Sequence, residues 1–329
     1  MKDVINGRLE KELAAEKKIN DKLKTLPSII SEFYYDMSGS NKSYMTLSKY
    51  VEYVEDFLRY LDPDDKEEFY KDIKPTTISK YMSSIRNKEV NGTVVRLGDS
   101  IRAVRWSALN SFFEFLKGNG YVQENPVSYT KRPKINENHS VTYLTQEEIQ
   151  KVMDNVKENA TYRSINRDLC IIGLAISTGL RVSAIVQINI NDINFKNKTL
   201  RVIEKGEKYR NIAFGENTKQ LLLNWLKDRE LYYNPYDGTN ALFISQKKER
   251  MSTDAVRRMV EKYTSGVVEK HITPHKLRAS AATNLAASGT SIQAIAKILG
   301  HENIQTTRRY VEVLDQEAED AVNVLDNLI

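Results

Sequence analysis

Six residues in the second half of the chain have side chains suited to handling a phosphodiester: Arg181, Lys205, His275, Arg278, His301 and Tyr310. They stand in short strings, Thr178-Gly179-Leu180-Arg181, Glu204-Lys205-Gly206, His275-Lys276-Leu277-Arg278, Leu299-Gly300-His301 and Thr307-Arg308-Arg309-Tyr310. Taken singly, each has an ordinary structural reading. An arginine after a glycine is a solvated helix cap, and a lysine beside a glycine is a turn residue. Tyr310 is one of eighteen tyrosines, most of which must serve packing.

Their joint order carries the argument. When a nucleophile attacks a phosphodiester, charge builds on the non-bridging oxygens, and a metal or fixed cations must neutralise it. Arg181 and Arg278 offer planar forks that each donate two hydrogen bonds to a phosphate. No clustered Asp/Glu or Cys/His set has metal spacing, so the arginines take the metal's place. A phenol ionises near pH 10 and is a weak nucleophile at neutral pH. It needs a base and a positive field, which His275 and the arginines supply. A departing 5′-hydroxyl needs a proton, for which Lys205 on a hairpin is the candidate. His301 then hydrogen-bonds the phosphate and aligns Tyr310. A covalent tyrosyl–phosphate conserves the bond energy, so neither ATP nor any other cofactor is called for.

These side chains need elements to hold them. Periodicity predicts a mainly α chain: a helical N-terminal unit, then a mostly α second unit with one small antiparallel sheet. Residues 3–24 interleave acids and bases and read as a solvated helix. Pro27 opens the next helix, which ends at Ser38-Gly39-Ser40. Tyr44, Leu47, Val51, Val54, Leu58 and Leu61 form one apolar stripe. A helix follows from Thr76 to Asn87, and another carries Ile101, Val104, Ala108, Phe112 and Leu116. From Pro126 to Asn138 periodicity is lost. Lys131, Arg132 and Lys134 there suggest an exposed basic linker with DNA-binding side chains.

In the second unit, Thr145 and Glu148 form a capping box, and a helix from Ser164 ends at Thr178-Gly179. Strands are expected at Leu200–Glu204 and Asn211–Phe214. Helices are expected near 216–231, 252–264, 275–288, 291–299, 303–313 and 316–328. The expected division is a helical extension at 1–25 and a helical domain at 26–130. A basic linker at 131–142, a catalytic domain at 143–314 and a helical tail at 315–329 complete it.

Bulk properties agree without deciding. The chain has 329 residues, a net charge of +5 and 28% charged residues. That length favours two domains, and the mild basic excess suits a polyanion partner. Cys170, the one cysteine, lies in an apolar run and reads as a core residue. Neither a signal peptide nor a membrane-length apolar span is evident, which predicts a cytoplasmic protein with no membrane partner.

The set Arg181, Lys205, His275-x-x-Arg278, His301 and Tyr310 resembles the catalytic signature of the tyrosine recombinase (integrase) family. The resemblance is close over residues 141–315 and looser over residues 26–125. It implies site-specific cleavage and rejoining of double-stranded DNA through a 3′-phosphotyrosyl bond. It further implies paired inverted sites, a clamp around the duplex, and dimers and tetramers on DNA, with accessory proteins left open. The setting implied is a prokaryotic cell, at the nucleoid when active. Three residues after the first arginine the family usually has an acidic residue, and here Ala184 stands. The tail places Ala318, Ala321, Val322, Leu325 and Leu328 on one helical face, and the resemblance implies docking on a neighbouring protomer. A type IB topoisomerase and a catalytically silent DNA-binding regulator are the competing readings.

Overall fold

A computed structural model describes residues 16–39, 44–90, 93–135, 141–203, 209–233, 239–301 and 303–326. The chain divides into two compact units, residues 1–139 and 140–329.

The N-terminal unit is built from α1 (residues 16–23), α2 (Ser28–Ser38), α3 (Tyr44–Leu61), α4 (Pro75–Ser84) and α5 (Asp99–Gly118). Its core is aromatic: Phe33, Phe57, Phe69, Phe112 and Phe113 are buried and meet largely edge to face. That arrangement suits the ring quadrupoles. The first helix is not simply solvated. Ile19 and Leu23, one turn apart, enter this core, and Lys22 pairs with Glu55 of α3. The α5 stripe is also shifted. Ala108, Phe112 and Leu116 are buried, but Ile101 and Val104 are 45% and 42% exposed. Leu109 and Phe113 fill the interior instead: Ala103 is already buried in the second turn, so it is the face carrying Ile101 and Val104, not the whole start of α5, that is turned to solvent.

Between α4 and α5 lies an unanticipated hairpin. Strand β1 (Asn87–Val90) pairs antiparallel with β2 (Thr93–Arg96), in register Val90↔Thr93. The intervening sequence Asn91-Gly92 is a strong hairpin signal that the helix expectation through Asn87 overlooked.

In the second unit the capping box forms as the sequence requires, with the Thr145 hydroxyl accepting from the Glu148 amide at the start of α6 (Gln146–Asn159). Helix α7 (Ile165–Thr178) is buried along most of its length and is followed by a short α8 (Val182–Gln187). The sheet has three antiparallel strands: β3 (Ile193–Asn194), β4 (Thr199–Ile203) and β5 (Tyr209–Ala213). The two-residue β3 was too short to leave a periodic signal. Then come α9 (Glu216–Tyr232), α10 (Thr253–Thr264), α11 (Pro274–Ala287), α12 (Ile292–Leu299) and α13 (Gln305–Asp326). The expected break near residue 314 is absent, and one helix carries both Tyr310 and the start of the tail. Neither glycine nor proline occurs in that stretch to end it. The expected apolar face of the tail falls on side chains outside the described residues.

Among the described residues, no helix is long and apolar enough to cross a membrane. Cys170 is buried, and burial pushes its thiol pKa up, as for a packing residue.

Candidate active site

Two glycine turns form the frame. Helix α7 ends at Gly179, with φ of 61°, and α12 ends at Gly300, with φ of 69°. Both angles are in the left-handed region, where a Cβ is penalised. The two turns pack on each other: a Cβ on Gly179 would lie 2.5 Å from the Leu299 Cδ2 atom and 3.6 Å from the Ala281 Cβ. At the end of α12, the His301 amide donates to the Ala296 carbonyl (3.0 Å) and the Gly300 amide to the Lys297 carbonyl (3.3 Å). This Schellman arrangement fixes the backbone of His301.

Arg278 ties the turns together. On α11 and 4% exposed, its guanidinium donates to the Gly179 carbonyl at 2.7 Å and to the Leu299 carbonyl at 2.8 Å. Arg210, on β5, donates to the Lys297 and Ile298 carbonyls at 2.7 and 2.8 Å. Three successive carbonyls at the α12 C-terminus therefore receive guanidinium protons from two separate elements. Those carbonyls carry the negative end of the helix dipole; that of Lys297 also accepts from the Gly300 amide, and the guanidinium protons add partners where the helix's own amides run out.

Arg181 is the N-cap of α8, and its side chain is half-buried. Its carbonyl accepts from the Ala184 and Ile185 amides, while its guanidinium makes neither a hydrogen bond nor an ion pair among the described residues. Ala184, at the place of the family's acidic residue, is buried in α8 and offers no carboxylate to hold it. His275 lies in the first turn of α11 beside Pro274, exposed, while Arg278 one turn on is buried. The two therefore share a face of the helix but not an environment.

The His301 Nδ1 lies 2.7 Å from the Thr307 hydroxyl, and its ring stacks on Tyr310 with centroids 6.5 Å apart and planes 18° apart. Its pKa is pushed down to about 4, first by burial and then by Arg278, Arg181, Arg309 and Arg210. A neutral imidazole at pH 7 hydrogen-bonds a phosphate without adding charge. Tyr310, 2% exposed, packs among Ala279, Ala282, Ile295 and Leu299, and its hydroxyl accepts a 3.0 Å hydrogen bond from Arg309.

Arg181, Arg278, His301 and Tyr310 thus converge on one locus. Lys205 falls in residues 204–208, outside the described residues, between strands paired at Ile203↔Tyr209. Lys131, Arg132 and Lys134 are exposed in a stretch without regular structure. Sequence reasoning missed three contributors: Arg210, Thr307 and Arg309. Arg210 had a signal, since it shares the inward parity of its strand with the buried Ile212. Arg309 had none, because adjacent helix positions do not face one another.

The pattern that describes the phage integrase family matches residues 142–317. A tyrosine recombinase of Pseudothermotoga lettingae is 32% identical over 282 residues, covering 85% of this chain and 91% of that protein. Tyrosine recombinase XerC of Haemophilus influenzae is 35% identical over 215 residues, 64% of this chain and 70% of that protein. Among solved structures, XerH site-specific recombinase bound to its palindromic difH substrate, a post-cleavage complex, aligns with a TM-score of 0.70. That match has 23% identity and covers 87% of this chain and 81% of that one. A lambda integrase tetramer on a Holliday junction aligns with a TM-score of 0.66 at 19% identity, covering 86% and 76%.

The family match and the relatives together define an enzyme that acts on DNA strands. The chain belongs to the phage integrase family and is a tyrosine recombinase, an enzyme of site-specific DNA recombination.

Proposed function

We propose that this enzyme cuts and rejoins DNA through a 3′-phosphotyrosyl bond on Tyr310. The Arg278 guanidinium, bridging the Gly179 and Leu299 carbonyls, carries the reading, because it draws the Thr-Gly-Leu-Arg and Leu-Gly-His turns together beside Tyr310. In this reading Arg181, Arg278 and His301 bind the scissile phosphate. The Arg181 guanidinium, without a partner among the described residues, is more open to it than the buried Arg278. His275 takes the phenol proton, and Lys205 protonates the leaving 5′-oxygen.

The substrate is double-stranded DNA with paired inverted sites, on which the protein assembles as dimers and tetramers in the cytoplasm. The known complexes of XerH with palindromic DNA and of the lambda integrase tetramer support this. The division into residues 26–130 for core binding and 143–314 for catalysis belongs to the same proposal. So does the tail, 315–329, as a link between protomers. Lys131, Arg132 and Lys134 lie along the DNA backbone, so affinity should fall steeply with salt as bound cations displace counterions. The relatives favour neither a topoisomerase nor a silent regulator.

The test traps covalent adducts on genomic DNA, with wild type and Tyr310→Phe side by side, and maps the attached ends. Wild type should yield discrete sites linked to the Tyr310 peptide, and the variant should yield none. SDS-resistant adducts formed by Tyr310→Phe would remove the nucleophile assignment. Lys205→Ala should cleave ordinary DNA poorly but recover on a 5′-phosphorothiolate, whose sulfur leaves without a proton.

A further inference from the structure

Successive residues of an α-helix project about 100° apart, so neighbours in sequence do not normally meet. Arg309 meets Tyr310 nonetheless. Its guanidinium carbon sits 5.0 Å from the Tyr310 ring centroid, and its Nη2 donates to the Tyr310 hydroxyl at 3.0 Å. The adjacent Arg308 behaves differently, pairing with Glu312 one turn on at 3.2 Å. Around the Tyr310 ring, α11 and α12 contribute Ala279, Ala282, Ile295 and Leu299, and the turn after α12 contributes His301. Arg278, Arg181 and Arg210 lie near enough to act on the charge of His301. Among the described contacts, Arg309 is the cation whose hydrogen bond ends on the nucleophilic oxygen itself.

We propose that Arg309 is a further catalytic residue, donating to the Tyr310 oxygen in both strand cleavage and strand rejoining. The proposal rests on the reading of Tyr310 as nucleophile. In cleavage the phenol O–H bond breaks and its proton goes to the base. The oxygen's electron pair forms the O–P bond as the P–O5′ bond breaks, and the departing 5′-oxygen takes a proton from the acid. Negative charge on the phenol oxygen peaks after its proton has begun to leave and before the O–P bond is complete. A guanidinium already aimed at that atom stabilises the charge without reorganising. In rejoining, the 5′-hydroxyl gives its proton back to the group that supplied it and its oxygen forms the P–O5′ bond as the O–P bond to Tyr310 breaks; the phenol oxygen departs with that electron pair, meets the same donor, and recovers its proton from the base. A mere cover over the hydroxyl would act in the opposite direction, since its removal would speed cleavage.

The test uses the full-length protein and a nicked duplex carrying a site at which wild type forms its adduct. Arg309→Ala, Arg309→Lys and Arg308→Ala are compared with wild type for DNA affinity, single-turnover cleavage and rejoining between pH 7 and 9.5. Arg309→Ala should bind as tightly as wild type yet cleave and rejoin roughly 10²-fold more slowly at pH 7, the usual effect of losing one oxyanion donor. The cleavage deficit should shrink as pH rises, because the phenol proton is then lost more readily whether or not a cation faces the oxygen. Arg309→Lys should recover part of the rate, and Arg308→Ala should match wild type. A deficit that is constant with pH, one matched by weaker binding, or an unchanged or faster rate overturns the proposal. An adduct formed by Tyr310→Phe overturns the nucleophile reading instead, and the two failures are separately visible.

Discussion

The two units stabilise themselves in different ways. Among the described residues, Asn125 is the buried polar side chain of the N-terminal unit. The second unit buries Ser164, Asp168, Thr178, Thr218, Arg229, Thr264, Arg278, Ser280, Thr283 and Thr307. The first interior is held by ring packing, which is tolerant of detail and carries no chemistry. In the second, several of the buried polar groups hold backbone atoms of turns and connections. Arg278 holds Gly179 and Leu299, Arg229 holds the Ala241 and Thr239 carbonyls, and the Ser280 hydroxyl accepts from the Leu144 amide. Buried polar contacts are directional and fail sharply when one partner is lost. They suit a unit that must hold side chains from several elements at fixed positions.

Each unit has one tryptophan, Trp106 and Trp225, so fluorescence can follow the two separately. Phe112→Ala should show the largest stability effect, since it empties the middle of the ring cluster. A loss of about 3–5 kcal/mol is the usual cost of such a truncation. It should appear in a Trp225→Phe background, which reports Trp106, while Trp225 in a Trp106→Phe background stays near wild type. Equal losses at both probes would erase the distinction between the units.

Arg278→Ala should act in the other unit. It leaves two buried carbonyls without their donors, at about 2–4 kcal/mol in total, and should cut adduct formation at least 10²-fold. Urea unfolding followed at Trp225 checks the first figure and a trapping assay the second. A stable Arg278→Ala enzyme would mean that the bridge is not what holds the turns.

Gly179→Ala is a sharper and smaller probe. The added methyl must adopt a left-handed φ and displace the Leu299 side chain, for roughly 1–3 kcal/mol. Cleavage should fall although no reacting group has changed. Full activity in this variant would show that contact between the turns does not position the site.

The last effect concerns pH. Folded, His301 stays neutral down to about pH 4, whereas an unfolded histidine takes up its proton near 6.5. Between those values the unfolded chain binds more protons, so this group makes stability fall as pH drops from about 6.5 towards 4. His301→Gln should flatten that part of the profile in urea midpoints compared at pH 6.8 and 4.5. An unchanged slope would place its origin elsewhere.

How legible each feature was depended on whether its cause is local. The capping box at Thr145 and Glu148 and the turns at Gly179 and Gly300 follow from side-chain and φ preferences within a few residues. The hairpin at 87–96 had a local cause that was available and overlooked. The entry of Ile19 and Leu23 into the core, and the exposure of Ile101 and Val104, depended on which neighbour each helix meets. A stripe can show that a face exists, but not how far along the helix a partner reaches.

The sequence by itself determined the order and identity of the phosphate-handling strings and the apolar face of α3, because these follow from residue chemistry and short-range geometry. It also marked the helix ends at Gly179 and Gly300. Tertiary structure decided that Arg278, separated by 99 residues from Gly179 and 21 from Leu299, would bridge their carbonyls. It likewise decided that Arg210 would cap α12, and that burial among arginines would keep His301 neutral. A guanidinium reaches only a few ångströms, and an imidazole's proton affinity depends on the charges and solvent around it. Both are therefore set by distances between elements remote in the chain, which appear only once those elements have packed.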